Sequence, residues 1–176
     1  KDFNNVLDCF GDGICLFPKE YEQNSDEINL LSDLKFAANE VNVDALYHYG
    51  LFLLDLKDTF ESQTKAIKYI KEAADKGHIE ANFKYGKLLH KRIVSTTSNI
   101  DALKYFKYAA DHKEKKSMFY YGKILYEENS EEEEYKNAIS YIKESSDLGY
   151  VKAMSFYGQL ILKGEISGID KSESVK

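Results

Sequence analysis

Hydrophobic and polar positions along this chain follow the period of an α-helix and show no strand-like alternation. The segment VDALYHYGLFLLDL at 43–56 places these residues on one helical face: Ala45, Leu46, Tyr49, Gly50 and Leu53. The segment SQTKAIKYIKEAADKG at 62–77 has the same helical spacing of apolar residues. The two segments therefore predict two helices joined by a loop, named here helix A and helix B. We expect Ser62 to cap helix B at its start and Gly77 to end it in a left-handed conformation.

The helix pair recurs with a fixed period. An aromatic residue precedes glycine in YHYG, FKYG, FYYG and SFYG, and these glycines are spaced 36 residues apart: Gly50, Gly86, Gly122 and Gly158. Three alanines of helix B keep the same interval: Ala66, Ala102 and Ala138. Two features with one period in this range indicate stacked repeats. We predict an all-α fold, a right-handed α-solenoid of helix-turn-helix repeats.

The predicted solenoid fills the chain as a single domain over 1–176, with about four and a half repeats of 36 residues. The segment at 4–17 is predicted to be a further helix A, and 30–40 its helix B. Because the chain starts at Lys1 and stops part-way through a repeat, we expect it to be a segment of a longer protein.

Glycine within a helix costs about 1 kcal/mol relative to alanine, and the chain accepts this cost in every repeat. We expect the missing side chain to let helix A approach helix B closely, beside the small pair Ala73 and Ala74 in the first of these repeats. The tyrosines that precede the glycines are expected to pack in the core: Tyr49, Tyr85, Tyr121 and Tyr157.

The pattern A-x-x-x-Y-G-x-x-L followed by A-x-x-Y-I-x-x-A-A-x-x-G resembles the Sel-1-like repeat (SLR) family, a relative of the tetratricopeptide repeat. In this chain it reads ALYHYGLFL and then AIKYIKEAADKG, and the resemblance covers roughly 25–164. The resemblance implies a non-catalytic scaffold or adaptor for protein–protein interaction, for example in signalling. Such repeats also accompany catalytic domains, so a regulatory or substrate-positioning region of a multidomain enzyme, such as a protein kinase, is the alternative.

Composition and charge exclude some classes of function. Hydrophobic residues make up 43% and charged residues 31%, which is typical of a globular chain. The net charge of −6 does not favour nucleic acid, and the longest apolar stretch, at 46–56, is too short to insert across a membrane. Cys9 and Cys15 lie outside the repeat period, so we expect free thiols and a cytoplasmic location. A cleaved signal peptide remains an open alternative.

The sequence contains no P-loop, zinc-protease or nucleophile-elbow motif. None of the four histidines has a second ligand at metal-binding spacing: His48, His78, His90 and His112. The acidic run EENSEEEE at 127–134 is predicted to be a solvated loop that places negative charge at the start of a helix B. We therefore expect no enzymatic activity, no cofactor and no metal.

The surface of the A helices is the remaining candidate site. By similarity to tetratricopeptide repeats, its groove positions lie three before, one after and four after each repeat glycine, with lysines six before two of the glycines. We predict that these residues bind a partner in a concave groove: Tyr47, Leu51, Phe83, Lys87, His90, Lys116, Phe119, Lys123, Tyr126, Lys152 and Gln159. An aromatic row beside lysines predicts a protein or peptide partner that is acidic and carries apolar anchors. The alternative is that the aromatic side chains only fill space between neighbouring A helices, although Phe83 and Phe119 are expected to be only partly buried.

Overall fold

The computed structural model describes residues 32–38, 42–56, 60–94, 99–128 and 132–166, and every regular element within these ranges is an α-helix. The helices are α1 (32–38), α2 (Val43–Leu56), α3 (Phe60–Asp75), α4 (Ile79–His90), α5 (Asn99–Asp111), α6 (Lys115–Glu128), α7 (Glu132–Asp147) and α8 (Val151–Lys163). The prediction of an all-α solenoid is thereby confirmed. The helix predicted at 4–17 and both cysteines lie outside the described residues.

Helices α2 to α8 pack mainly against their neighbours in sequence and belong to one compact unit. The A helices of the prediction are α2, α4, α6 and α8, and the B helices between them are α3, α5 and α7. The predicted pairing of A with B is strongest for α2 with α3, α4 with α5 and α6 with α7. That residues 1–176 form a single domain stays a prediction.

Three of the repeat glycines, Gly50, Gly86 and Gly122, lie where an A helix meets its B helix. A Cβ atom added at Gly50 would be 2.7 Å from Ile70 Cγ1, and one added at Gly122 would be 2.8 Å from the carbonyl oxygen of Ala138. The predicted close approach is correct, but its partners are Ala66 and Ile70 of α3 rather than Ala73 and Ala74. The reason is geometric, because antiparallel helices joined by a short loop face each other at equal distances from that loop.

The small pair Ala73 and Ala74 instead lies at the end of α3, next to the start of α4. The carbonyl oxygen of Ala74 accepts hydrogen bonds from the backbone N–H of Gly77 and from Asn82 Nδ2, both at 2.9 Å. The small side chains therefore lie at the contact between one repeat and the next.

Tyrosine pairs recur inside each helix pair. The ring of the tyrosine before the glycine meets a tyrosine of the B helix edge to face, and the centroid distances are 5.1 Å for Tyr49–Tyr69, 4.8 Å for Tyr85–Tyr105 and 5.0 Å for Tyr121–Tyr141. Tyr49 and Tyr85 are buried as expected, whereas Tyr121 and Tyr157 are only half-buried.

A second recurring contact, named here the clasp, links successive B helices. The Tyr105 hydroxyl donates to Asp75 Oδ1 at 3.1 Å, and Asp75 also pairs with Lys71 on its own helix. One repeat later, Tyr141 donates to Asp111 Oδ1 at 3.2 Å, and Lys107 lies 2.8 Å from Asp111 Oδ2. Each clasp therefore joins one B helix to the next through a carboxylate that accepts two hydrogen bonds.

The ends of the B helices also follow the repeat. Gly77 has φ +91°, as predicted, and the equivalent positions Lys113 and Gly149 are left-handed too. Such a residue ends a helix by turning the chain away from its axis. The prediction for Ser62 is wrong, since α3 begins at Phe60 and Ser62 lies in its first turn.

The A helices begin with a different residue in each repeat. Asn42 Oδ1 accepts from the N–H of Ala45 at 2.9 Å, and His78 Nδ1 accepts from that of Ala81 at 3.1 Å. Glu114 accepts from the N–H of Ser117, while Tyr150 makes no capping bond with its side chain. The caps are equivalent in place but differ in chemistry, and only His78 is a side chain whose ordinary pKa lies near neutral pH.

Candidate protein-interaction face

The exposed side of the A helices carries one row of charges in its first turns. The position six residues before each repeat glycine is exposed in every A helix, and in order it reads Asp44, Glu80, Lys116 and Lys152. Because the positions are equivalent, the side chains occupy corresponding places on α2, α4, α6 and α8. The sign of the charge therefore changes between α4 and α6.

Positive charge is concentrated around one aromatic ring of this side. The ammonium of Lys116, from α6, lies 5.7 Å from the centroid of the Phe83 ring, and that of Lys87, from α4, lies 5.8 Å from it. Phe83 is half-buried, and its ring is 5.9 Å from the ring of Tyr120. An aromatic face next to two ammonium groups can bind an apolar side chain beside a carboxylate.

Three further lysines extend this group, which we name the lysine cluster: Lys84, Lys87, Lys91, Lys116 and Lys152. Burial lowers the pKa of Lys87, and the charges of the other four lysines lower it further. Burial also lowers the pKa of Lys84, against the opposing effect of Asp55. Within the described ranges, no carboxylate oxygen lies within ion-pair distance of any lysine in the cluster. The cluster is thus a local positive surface on a chain of net charge −6.

The other end of the row is acidic and contains two histidines. His78 Nε2 is 3.4 Å from Asp44 Oδ1, and His78 Nδ1 is 3.3 Å from Glu80 Oε2. The ring of Tyr47 lies 4.5 Å from that of His78 and 5.2 Å from that of His48. Burial lowers the pKa of both histidines, with Asp44 and Glu80 opposing the shift. Both carboxylates stay mainly in solvent, 58% exposed for Asp44 and 65% for Glu80.

The predicted site residues do not all lie on one accessible surface. Phe83, Lys87, Lys116 and Lys152 come together in the lysine cluster, and Tyr47 lies at the acidic end. Leu51 is half-buried on α2, and Gln159 is exposed on α8. His90 is half-buried, with its ring 5.9 Å from Tyr120.

The expectation that Phe119 is only partly buried is wrong. Its side chain is 6% exposed, and its ring makes edge-to-face contacts with Tyr120, Tyr150 and Phe156. A ring at the same position in the previous repeat, Phe83, remains half-buried. Phe156 and its equivalent Tyr120 lie at the same distance from Phe119 and Phe83, so the difference lies at Tyr150, whose equivalent in the previous repeat is Glu114.

Two other predicted residues are engaged within the chain. The Tyr126 hydroxyl donates to the Glu165 carboxylate, which raises the pKa of Tyr126 to about 12, and its ring contacts Tyr135 and Phe156. Lys123 Nζ lies 3.3 Å from Glu127 on the next turn of α6. These contacts leave the surface around Phe83 as the best candidate for binding.

Sequence reasoning missed Asp44, Glu80, Lys84 and Lys91. The acidic pair could have been found by following the row of Lys116 and Lys152 back through the two earlier repeats. Lys84 and Lys91 lie one turn to either side of Lys87 on α4, a spacing that indicates one side of a helix. The acidic run at 127–134 is not a loop where it is described, because Glu127 and Glu128 end α6 and three glutamates form the first turn of α7. The expected negative charge at the start of this B helix is present.

Among the described residues, no group of three or more histidine, cysteine, aspartate or glutamate side chains is arranged to hold a metal ion. None of the described helices has both the length and the apolar character needed to cross a membrane.

Two solved structures share this architecture, although neither a family model nor a curated protein matches the sequence. A Sel1 repeat protein from Oxalobacter formigenes aligns with a TM-score of 0.62 at 17% identity, over 73% of this chain and 97% of the other. The second structure is c5321, a protective antigen present in uropathogenic Escherichia coli strains and displaying an SLR fold. It aligns with a TM-score of 0.71 at 20% identity, and the alignment covers 95% of this chain but 34% of c5321.

The likeness to both structures confirms the fold that the sequence resemblance implies. The chain has the SLR fold, an α-solenoid of repeated helix pairs. At these identities the comparison establishes the fold alone.

Proposed function

We propose that this chain is a non-catalytic scaffold that binds a protein or peptide segment on the side formed by its A helices. The observation that supports it most directly is the lysine cluster around Phe83, which combines an accessible aromatic ring with several ammonium groups. A carboxylate of the partner would interact with the lysines while an apolar anchor packs on Phe83. A cytoplasmic setting, with acidic partners, is part of the same proposal.

The physical reason is that, among the described residues, no carboxylate forms an ion pair with the lysines of the cluster. Charged side chains that approach one another without counter-charges repel, and a partner carboxylate relieves that repulsion on binding. The aromatic ring supplies apolar area beside the charges, and such anchors carry much of the energy of protein interfaces. A long row of similar positions on successive helices suits an extended or helical segment.

Selection from a displayed library of random peptides tests this proposal. We expect the protein to enrich peptides that combine acidic residues with an aromatic or large aliphatic residue. Their binding should be lost in the variant Lys87→Glu with Lys116→Glu, and should weaken as salt is raised, since added ions screen exposed charges.

The matched control is Lys65→Glu with Lys136→Glu, which makes the same change in net charge on exposed sides of two B helices. This control should bind the selected peptides as the unmodified protein does, once circular dichroism shows that both variants fold. The proposal is wrong if no peptide is enriched, or if the two variants lose binding equally.

A further inference from the structure

We propose that the partner segment is bipolar, with basic residues against the acidic end of the A-helix side and acidic residues against the lysine cluster. This inference rests on the proposed function and adds the order of charges in the partner. It starts from the row Asp44, Glu80, Lys116 and Lys152, where equivalent exposed positions carry negative charge in two repeats and positive charge in the next two.

The acidic end of the row and the lysine cluster meet on α4, which carries both Glu80 and Lys87. Glu80, Phe83 and Lys87 are spaced three and four residues apart, so they follow one another along the same side of this helix. Phe83 thus lies between a carboxylate and an ammonium, one helical turn from each. A bound segment that places an apolar side chain on Phe83 would have its neighbouring residues face opposite charges on either side.

The two charged groups do not neutralise each other. Asp44 and Glu80 contact His78, whose lowered pKa keeps it mainly neutral at pH 7, and both carboxylates remain largely exposed. The lysine cluster has no ion-pair partner among the described residues. On α4, Glu80 and Lys87 are held seven residues apart, and Asp44, Lys116 and Lys152 stand on α2, α6 and α8, whereas a partner of complementary pattern can meet both groups.

This arrangement rejects segments of uniform charge. A wholly acidic segment would gain from the lysine cluster but would meet like charge at Asp44 and Glu80, and a wholly basic one would meet the reverse. Like charges that face each other across an interface weaken the complex with the wrong partner. They are therefore a source of specificity. The row therefore selects both the composition of the partner and its direction along the helices.

Four fluorescent peptides built around a central phenylalanine test the inference by anisotropy. One has a basic half before the phenylalanine and an acidic half after it, the second has the reverse order, the third is acidic throughout and the fourth is basic throughout. We expect one of the two bipolar peptides to bind about tenfold more tightly than the other three, a ratio that corresponds to about 1.4 kcal/mol. The reversed bipolar peptide serves as a control of identical composition.

The variant Asp44→Asn with Glu80→Gln should weaken binding of the preferred bipolar peptide and strengthen binding of the acidic one. Its matched control is Glu133→Gln with Glu134→Gln, which also removes two exposed carboxylates from a first helical turn, here that of the B helix α7. This control should change neither affinity.

The outcomes separate the two proposals. If the acidic peptide binds as tightly as either bipolar peptide, and Asp44→Asn with Glu80→Gln leaves it unchanged, the bipolar inference is overturned while binding at the lysine cluster stands. If Lys87→Glu with Lys116→Glu leaves the affinity of every peptide unchanged, both proposals fail.

Discussion

Two regions of the molecule follow the same 36-residue period: the contact between A and B helices, and the exposed side of the A helices. They differ in whether the residue type is kept from one repeat to the next. At the contact, chemistry is copied from repeat to repeat: glycine faces the B helix, and a tyrosine pair stands beside it. On the exposed side, the same period carries Asp44, Glu80, Lys116 and Lys152. Positions that are copied maintain the stacking of helices, whereas positions that vary are free to encode recognition.

The largest expected effect comes from the two aromatic residues that share a repeat position but differ in burial. Phe119→Ser should lower the free energy of unfolding by about 4 kcal/mol, because it removes a buried ring and leaves a polar group in its place. Phe83→Ser should cost less than half as much, since its ring is half-buried. Chemical denaturation of both variants measures the difference, and equal losses would contradict the division into interior and surface.

A smaller loss is expected at the copied glycine. Gly122→Ala should lower the free energy of unfolding by about 2 kcal/mol, because the new Cβ would lie 2.8 Å from the carbonyl oxygen of Ala138, a backbone atom. Ser155→Ala, an exposed site on α8, is the control for introducing alanine into an A helix. Thermal melting compares the two, and an unchanged or raised melting temperature for Gly122→Ala would show that the helices need no close approach there.

Loss of the His78 cap should lower the free energy of unfolding by about 1 kcal/mol. Burial lowers the pKa of His78 in the folded protein, whereas the unfolded chain keeps the ordinary pKa of 6.5. Below pH 6.5 the unfolded chain therefore binds the proton more readily than the folded protein does. The cap is therefore fully present above pH 6.5 and is lost as pH falls through the folded pKa, because a protonated Nδ1 cannot accept from the N–H of Ala81. Denaturation at pH 7.5 and 5 measures this loss.

The matched variant for this test is His78→Asn, which copies the cap that Asn42 makes at the equivalent position of the first A helix. Its stability should fall less between the two pH values, although His48, whose pKa is also lowered by burial, still contributes to the remaining slope. Parallel curves for the two proteins would show that the His78 cap does not govern the response.

The smallest expected effect is a gain. Ser117 is fully buried and its hydroxyl has no hydrogen-bond partner in the described structure, whereas Ala81 and Ala153 occupy the same position in neighbouring repeats. Ser117→Ala should raise the free energy of unfolding by up to about 1 kcal/mol, because it removes an unsatisfied polar group. If denaturation shows a loss instead, the hydroxyl must be satisfied in solution.

The repeat period was the part of this molecule that the sequence predicted best. The spacing of the glycines and alanines predicted the helix pairs and their order, because each repeat satisfies the same packing constraint. The partners of the glycines were misassigned to Ala73 and Ala74. Which residues of the B helix face a glycine depends on how two antiparallel helices align across their loop. The burial of Phe119 could not be predicted from its own position in the repeat, because it depends on Tyr150, where the previous repeat has Glu114.

The candidate site was predicted less completely for a related reason. Position within the repeat identified Phe83, Lys87, Lys116 and Lys152, which the fold brings together. It could not show that Tyr126 and Lys123 use their polar groups within the chain, because those contacts depend on Glu165 and Glu127. The acidic half of the row was missed because Asp44 and Glu80 differ in sign from Lys116 and Lys152, and only the lysines fit a surface for an acidic partner.

The clasp has a consequence for how the solenoid would respond to mechanical force. Asp75 and Asp111 each tie one B helix to the next, so tension applied along the stack is borne by joints of similar construction in series. Since each repeat contacts chiefly its neighbours, rupture of one joint leaves the next one intact. Such a chain would unfold under tension in steps, each of which releases one helix pair.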